Sequence, residues 1–315
     1  MRHTPIPGPA PMSADWFALR TWNPDREPHC VFGASEAAAL CGLSNYLSTY
    51  ELYLRKRGLI VEPEETEAMA FGKALESAIL TEYARRNGYS LLPGGMWLHP
   101  KYPFISATPD AMACRSNTEE AWPVDAKNTG VQRFKADFGE EGTDDLPMDI
   151  LMQAQQQMLV MGTPMQETPV LVGGNRLKVF RVQRNEDLCN GIIEAAVEMY
   201  DRLKRCDPPD PDFSHPGGLV GVMKKAFKLD PSESVFFGED MEHKWAEYQR
   251  KGEEIKELEA ERDEIKAEVL HRMGDAGVAR FADAAIELVR QPRHRASYVV
   301  KESNYVVLMQ RKVKR

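Results

Sequence analysis

The feature of this sequence that most limits its fold is an alternation of helical and extended patterns. Apolar residues recur at helical spacing from Ala70 to Asn87, and short apolar segments separated by Gly, Pro, Asn and Asp follow over 96–127. Helical patterns return at 151–161 and 186–205, on either side of a hairpin signal at Gly173-Gly174-Asn175. This order predicts an α/β fold in which helices flank a mixed sheet.

Composition narrows the class of protein. The chain has 315 residues and a formal net charge of −8, which excludes a globally basic, histone-like binder but not an enzyme that acts on nucleic acids. Five cysteines without CxxC pairs are typical of reduced thiols and not of a disulfide framework or a zinc finger. No apolar run approaches the roughly 18 residues that span a membrane.

The chain divides by composition into three parts. Residues 1–15 are rich in proline, and we expect them to be disordered. A Pro- and Asp-rich linker at 207–217 ends the main domain, which is predicted to span 16–217. Residues 218–315 are predicted to form a C-terminal helical extension with a basic tail.

The C-terminal extension combines a charged helix with a basic end. Between residues 255 and 269, the core positions of a heptad repeat hold apolar residues except at Arg262. The apolar residues are Ile255, Leu258, Ile265 and Val269. This pattern indicates a long charged helix or a short coiled coil. Residues 281–315 hold eight Lys and Arg against three acids and include two predicted strands, at 297–300 and 305–308. The tail is either a phosphate-contacting element or a solvated basic edge strand.

Two short segments carry the chemistry that the sequence indicates most clearly. Thr108-Pro109-Asp110 follows the end of a predicted strand, and Asp125-Ala126-Lys127 lies on another, where Asp125 and Lys127 share a face. Two carboxylates beside a lysine suit metal-dependent phosphodiester hydrolysis. Carboxylate oxygens bind Mg²⁺ or Mn²⁺, and a lysine can position or deprotonate the attacking water. On the pattern alone, two turn carboxylates and a surface lysine are the simpler interpretation.

Polar residues within two apolar helical segments add to this pattern. Glu76 lies on the first, where a carboxylate is costly unless it is paired or bound to a metal. With Asp110 and Asp125 it would complete a site of three carboxylates. Gln153 and Gln155 lie on the second and could orient a scissile phosphate or a metal-bound water. The alternative for both glutamines is a polar helix face in solvent.

The order of these motifs resembles a known family. Over residues 16–210 the chain is similar to the YqaJ/lambda-exonuclease group of phage recombination nucleases, within the PD-(D/E)xK superfamily. The resemblance rests on these segments in this order: Trp16-Phe17-Ala18-Leu19-Arg20, Gly33-Ala34-Ser35-Glu36-Ala37, Phe71 to Glu76, His99-Pro100, Ala107 to Asp110, Val124 to Lys127 and Gln153-x-Gln155.

The resemblance implies a role for each matching residue. Asp110, Asp125 and the Ala126 carbonyl would bind Mg²⁺ or Mn²⁺, and Glu76 would support the metal directly or through water. Lys127 would be the catalytic lysine. The helix glutamines near the site would be Gln153 and Gln155. Three residues would contact DNA, the first two at the terminal 5′-phosphate: Arg20, Ser35 and Thr108.

The resemblance also implies an activity and partners. It implies a Mg²⁺-dependent exonuclease that digests one strand of linear duplex DNA from its 5′ end and leaves a 3′ single strand for recombination. A ring-shaped homotrimer, a single-strand annealing protein as partner and a phage or prophage origin in the bacterial cytoplasm are further implications. The chain departs from the family at Asp125, where Glu is commoner, and the shorter side chain is expected to alter the rate.

Other functions stay open on the sequence. An endonuclease would use the same chemistry, since end dependence rests mainly on Arg20 and Ser35, whose simpler roles are a surface ion pair and a helix N-cap. A nuclease of CRISPR adaptation would need a four-cysteine iron–sulfur cluster, which the cysteine positions do not provide. A catalytically silent DNA-binding module is the alternative outside enzymes.

Overall fold

The structure is a computed structural model that describes residues 4–60, 66–115, 120–215, 217–227, 230, 232–281 and 287–290. Its internal contacts divide the chain into two compact units, Met1–Lys228 and Leu229–Arg315. The first unit contains a mixed sheet with helices packed against it, and the second contains a long helix and a pair of short strands. The α/β architecture with a mixed sheet flanked by helices, and the helical C-terminal extension, are as predicted.

The first helices begin where the sequence supplies a capping side chain. The helices before the sheet are α1 (Ala14–Leu19), α2 (Ala37–Leu40), α3 (Thr49–Lys56) and α4 (Glu67–Asn87), and a 3₁₀ turn at Ala34–Glu36 leads into α2. Ser48 Oγ accepts a hydrogen bond of 3.1 Å from the N–H of Glu51 and so caps α3, as the sequence predicts. Gly88 ends α4 in the left-handed conformation, with φ of 67°.

The strands of the first unit form one large sheet and one small sheet. They are β1 (Ile6–Pro7), β2 (Tyr89–Pro93), β3 (Trp97–Leu98), β4 (Ser106–Ala107), β5 (Ala111–Arg115), β6 (Ala121–Val124), β7 (Lys127–Thr129), β8 (Met165–Val172) and β9 (Arg176–Gln183). In the large sheet β2, β5 and β6 pair antiparallel, β6 and β7 both run parallel to β8, and β9 pairs antiparallel with β8. The small sheet contains β1, β3 and β4.

Strands β6 and β7 behave as one interrupted strand. Val124 lies opposite Glu167 and Lys127 lies opposite Val170, so both segments keep the same register on β8. The interruption falls at Asp125 and Ala126. Residues two apart on such a strand share a face, so the backbone presents the side chains of Asp125 and Lys127 on the same side of the sheet.

Helix α6 lies at the centre of the first unit. The later helices of this unit are α5 (Val131–Asp137), α6 (Met148–Met161), α7 (Glu186–Arg205) and α8 (Val220–Ala226). Met152 and Leu159 of α6 join one buried cluster with α2 and α7, whereas Ala154 and Met158 join another with the β8–β9 hairpin. Because α6 is buried on opposite sides, its polar side chains need partners inside the protein.

Two segment boundaries differ from the sequence prediction. Ile6–Pro7 pairs with Trp97–Leu98, although residues 1–15 were expected to be disordered. The first unit extends to Lys228 and not to residue 217, because Leu219 and Val222 at the start of α8 are buried in the same cluster as α2 and α7. The Pro- and Asp-rich linker therefore lies inside the first unit.

The second unit contains α9 (Glu239–Met273) and the antiparallel strands β10 (Val278–Arg280) and β11 (Glu287–Val289). The predicted strands at 297–300 and 305–308, with most of the basic tail, lie outside the described residues. In the part of the chain that the structure describes, no helix has both the length and the apolar character needed to cross a bilayer.

A close backbone approach holds the Pro109-Asp110 segment in place. Gly94 lies in the connection between β2 and β3, and a Cβ atom at this position would stand 1.8 Å from the carbonyl oxygen of Pro109. That separation is far inside van der Waals contact, and the obstructing atom belongs to the backbone. Any side chain at Gly94 would therefore push Pro109 and Asp110 away.

Replacing Gly94 with alanine tests this constraint. Gly94→Ala is expected to lower the free energy of unfolding by ~1–3 kcal/mol, because the backbone must move to admit the methyl group. Gly72→Ala is the matched control, since a Cβ at Gly72 meets no atom within 4 Å. As a helical glycine, Gly72 should instead gain ~0.5–1 kcal/mol on this change. Urea unfolding followed by tryptophan fluorescence measures both, and equal stabilities would contradict the prediction.

Candidate active site

The predicted chemical residues meet at the interrupted strand. Asp110 stands just before β5, Asp125 lies in the gap between β6 and β7, and Lys127 begins β7. Helix α6 contributes Gln153, and helix α4 contributes Glu76, which interacts electrostatically with the two aspartates and the lysine. The structure therefore brings these five residues together.

The backbone of neighbouring strands fixes Asp110. Its N–H donates to the carbonyl oxygen of Val124 at 3.1 Å, which extends the β5–β6 ladder. Its Oδ2 accepts a hydrogen bond of 2.7 Å from the N–H of Ala126. The Asp110 carboxylate is thus held against the gap that contains Asp125.

Asp125 is buried, and donors surround its carboxylate. Its Oδ1 accepts from Gln153 Nε2 at 2.9 Å and from Gln157 Nε2 at 3.0 Å, and its Oδ2 forms an ion pair with Lys127 Nζ. Lys127 Nζ also donates to Gln153 Oε1 at 3.2 Å. Gln153 therefore bridges the carboxylate and the ammonium, and the three side chains orient one another.

The electrostatics of this cluster are dominated by burial and by like charge. Burial, together with the Asp125 carboxylate, raises the pKa of Asp110 to about 8, and Lys127 opposes that rise. Burial and Asp125 also raise the pKa of Glu76. Burial by itself would lower the pKa of Lys127, but Asp125 and Asp110 outweigh it, so the pKa is raised and the lysine stays protonated. The cluster has an excess of carboxylates, which favours a bound cation.

Gln155 does not join the cluster. Its Nε2 donates to the carbonyl oxygen of Gln183 and its Oε1 accepts from the N–H of Asn185, both at 2.9 Å, so it joins α6 to the start of α7. The physical reason is the helical period of 3.6 residues, which puts residues two apart on different faces and residues four apart on the same face. Gln157 therefore accompanies Gln153, and the helical period applied to the run of glutamines would have found it.

The residues expected at the DNA terminus lie around a second charged cluster. An NH2 group of Arg20 lies 3.6 Å from a carboxylate oxygen of the buried Glu36, and the guanidinium lies over the ring of Trp16. Lys56, only 1% exposed, forms an ion pair of 2.8 Å with Glu36. Neither Glu36 nor Lys56 was predicted as a partner of Arg20. Glu36 ends the 3₁₀ turn directly before α2, and an acid at the start of a helix gives no distinctive signal without its cation.

Ser35 and Thr108, the other two residues predicted to contact DNA, lie in a 3₁₀ turn and in a connecting segment. Ser35 is exposed in the 3₁₀ turn beside Glu36, and the N-cap of that turn is Gly33, not Ser35. Thr108 is half-buried in the connection from β4 to Asp110. Arg20, Glu36 and Lys56 line a cavity of about 360 Å³. The structure thus places an arginine, a lysine and an exposed hydroxyl around one region of the first unit.

Among the described residues, the acidic or imidazole side chains placed to bind one metal ion directly number fewer than three. Among the described residues, no group of three or more His, Cys, Asp and Glu side chains is arranged so that it could hold a metal ion. Asp110 and Asp125, with the Ala126 carbonyl, are therefore the first donors to consider, and Glu76 is an outer carboxylate. Two carboxylates completed by water suit Mg²⁺, which keeps several of its waters when it binds proteins.

The mixed sheet, its flanking helices and the Pro109-Asp110 and Asp125-Ala126-Lys127 segments on neighbouring strands form the core predicted from the PD-(D/E)xK pattern. The family model of the YqaJ-like viral recombinase domain matches residues 15–164. Residues 15–164 are thus similar to the YqaJ-like viral recombinase domain, as the motifs predicted.

Individual proteins are similar over a larger part of the chain. The uncharacterized protein YqaJ of Bacillus subtilis (strain 168) is 26% identical over 250 residues, which cover 78% of this chain and 75% of that protein. An alkaline exonuclease (LHK-Exo) from Laribacter hongkongensis is 19% identical with a TM-score of 0.44, over 56% of this chain and 89% of its own. A phage related exonuclease from Haemophilus somnus 129PT is 12% identical with a TM-score of 0.41, over 56% and 96%.

Removing the carboxylate of Asp110 is expected to stabilise the folded protein when EDTA keeps it free of divalent metal ions. The pKa of Asp110 is raised in the folded state, so between roughly pH 4 and pH 8 the folded chain binds a proton that the unfolded chain has lost. Stability therefore falls as pH rises through this range. We expect Asp110→Asn to have a higher Tm than wild type at pH 8 by a few degrees, with a smaller difference at pH 5.

Differential scanning fluorimetry at the two pH values measures the effect. Asp137→Asn is the control, since Asp137 is exposed on α5 and pairs with Arg133. This control should not gain stability at pH 8. A lower Tm for Asp110→Asn than for wild type at pH 8 would show that the Asp110 carboxylate is not an electrostatic liability.

Proposed function

We propose that this protein is a divalent-metal-dependent DNA exonuclease that digests one strand of linear duplex DNA from the 5′ end. The observation that carries the proposal is the Asp110, Asp125 and Lys127 cluster inside a YqaJ-like viral recombinase domain. A catalytically silent module would have no chemical need for a buried and a half-buried carboxylate whose repulsion costs stability. The product would be a 3′ single strand suited to recombination.

The donor set fits a hard divalent cation. Asp110 and Asp125 stand on either side of Ala126, and burial with mutual repulsion leaves Asp110 short of positive charge. Mg²⁺ or Mn²⁺ would be held by these two carboxylates and the Ala126 carbonyl, with Glu76 nearby as an outer carboxylate. When bound, such an ion activates a water for attack and offsets negative charge at the phosphate.

Lys127 and two glutamines of α6 are proposed to position the attacking water and the Asp125 carboxylate. Lys127 stays protonated, so its ammonium is suited to orient the attacking water and to offset charge on the scissile phosphate, more than to act as a base. Gln153 holds the lysine and Asp125 together, and Gln157 fixes the other side of the Asp125 carboxylate. Both glutamines thus position groups that act directly.

End recognition is proposed to rest on the Arg20 region. The arginine supplies a planar fork for a terminal 5′-phosphate, and the exposed hydroxyl of Ser35, the residue before Glu36, is proposed to add a donor. Glu36 forms ion pairs with both Arg20 and Lys56. Thr108 is proposed to contact DNA next to Asp110. Assembly as a homotrimer and cooperation with a single-strand annealing protein in the bacterial cytoplasm complete the proposal.

Digestion of labelled DNA tests the activity. Linear duplex labelled at either the 5′ or the 3′ end is incubated with the protein beside the same DNA as a closed circle, with Mg²⁺ and with EDTA. We expect 5′-mononucleotides from the linear form only, and only with Mg²⁺. Nicking of the circle would show an endonuclease. Absence of cleavage with Mg²⁺ or Mn²⁺ would favour a DNA-binding module.

Substitutions assign the roles in the same assay. Asp110→Asn and Lys127→Ala are expected to lower the rate by at least ~10²–10⁴-fold. Gln157→Leu is expected to lower it ~10–100-fold, because Asp125 loses one of its donors. Asp137→Asn should keep the wild-type rate. Wild-type cleavage by Asp110→Asn would remove Asp110 from the site.

The 5′-phosphate preference tests the Arg20 assignment. Wild type is expected to digest 5′-phosphorylated ends faster than 5′-hydroxyl ends, and Arg20→Ala should lose most of this preference because the phosphate loses its bidentate donor. Arg85→Ala is the control, since Arg85 pairs with Glu82 on the exposed part of α4. An unchanged ratio in Arg20→Ala, with the control behaving like wild type, would reject the assignment.

A further inference from the structure

Helix α9 exposes apolar side chains along much of its length. It spans 35 residues, and none of them is buried by the part of the chain that the structure describes. Ile255, Leu258 and Ile265 are 57%, 63% and 64% exposed, and Tyr248 is 67% exposed. Ion pairs between side chains four apart, such as Lys251 with Glu247, add only ~0.3–0.5 kcal/mol each to an isolated helix. A helix of this length with an apolar edge gains most of its stability from a packing partner.

The exposed apolar side chains follow a coiled-coil period. With Ile255 at a heptad a position, the a positions are Met241, Tyr248, Ile255, Arg262 and Val269. Leu258 and Ile265 then occupy d positions. The a and d positions from 255 to 269 thus form a seam interrupted only by Arg262. Toward the N-terminus of the helix the a positions are apolar or aromatic, but Lys244 and Lys251 occupy the d positions, so the continuous seam begins at Ile255.

The flanking charges favour a parallel pair of identical helices. The g positions 247, 254, 261 and 268 are all glutamate, so an antiparallel pair, which sets g against g, would oppose like charges along its length. In a parallel pair, g residues face e residues of the next heptad. Glu261 then faces Lys266, Glu247 faces Gly252, and only Glu254 meets another acid, at Glu259.

Arg262 also finds a partner in the parallel arrangement. An a-position side chain lies beside the preceding g residue of the neighbouring helix, so Arg262 stands next to Glu261 of the second copy. The two Arg262 side chains, one from each copy, then each lie next to a carboxylate. Polar a-position residues of this kind set the register at some cost in stability.

We infer that α9 pairs in parallel and in register with α9 of a second copy of this chain, through the seam from Ile255 to Val269. This self-association surface lies outside the domain that carries the nuclease site, and it does not depend on the proposed activity. The pairing would be a contact additional to the proposed homotrimer. It would join two protein copies through their C-terminal units, each copy from a different trimer.

Disulfide trapping in the full chain tests the pairing. In a Cys206→Ser background, which removes the exposed native cysteine, Leu258→Cys places a thiol in the seam. Mild oxidation is expected to convert most of this variant to a disulfide-linked dimer on non-reducing gels. Ala260→Cys is the matched control, because position 260 is an f position on the opposite side of the helix, and it should remain mostly monomeric.

The outcomes separate the arrangements. In an antiparallel pair a positions face d positions, so with Ile255 opposite Ile265 the two 258 positions would lie about four residues, ~6 Å, apart along the axis. Together with the separation across the pair, this puts their Cα atoms beyond the ~7 Å that a disulfide spans. Equal or absent cross-linking of Leu258→Cys and Ala260→Cys would overturn the inference. A second variant, Leu258→Cys with Ile265→Asp, should lose the cross-link while circular dichroism shows that the chain stays folded. Persistence of the cross-link in that variant would also count against the seam.

Discussion

The arrangement of the site depends on the need to hold two like-charged carboxylates next to a gap in one strand. Asp110 and Asp125 approach each other because β5 and β6 are paired up to Val124, where the ladder continues only through the N–H of Asp110. The interruption at Ala126 turns a backbone N–H toward Asp110. The sheet thus brings the two carboxylates together, and side chains from the rest of the first unit stabilise them.

Helix α6 supplies that stabilisation with amides and not with cations. Gln153 and Gln157 both donate to Asp125, whereas Gln156 donates to the backbone carbonyls of Phe32 and Ser106 at 2.9 Å each. Gln155 holds the start of α7. An amide satisfies a buried carboxylate oxygen without neutralising it, so the site keeps its charge for a ligand. A second cation in place of Gln157 would compete with the metal that we propose.

The sequence predicts the elements better than the contacts of their side chains. The N-cap of α3, the glycine that ends α4, the hairpin glycines before β9 and the bounds of α7 follow from local rules that tertiary packing did not overturn. The Asp110–Asp125–Lys127 cluster was predictable because strand pairing and the two-residue period fix it. Gln155 was misplaced because Gln153 and Gln155 were treated as a pair at a spacing of two, and not by the helical period. The partnership of Arg20 with Glu36 and Lys56 depends on packing between segments that no local pattern encodes.

Three acidic side chains of the first unit differ in how fully neighbouring groups compensate their negative charge. Glu167 is buried on β8, but Arg181 lies 2.6 Å from it and Tyr83 donates to it, so its charge is compensated. Burial would raise the pKa of Glu36, but Lys56, Arg20 and the N–H of Gly33 together outweigh burial and the pKa is lowered. Asp110 differs, because burial and a neighbouring carboxylate raise its pKa and the nearest cation, Lys127, already pairs with Asp125. A structural role would not require an uncompensated carboxylate, whereas a cation-dependent reaction does.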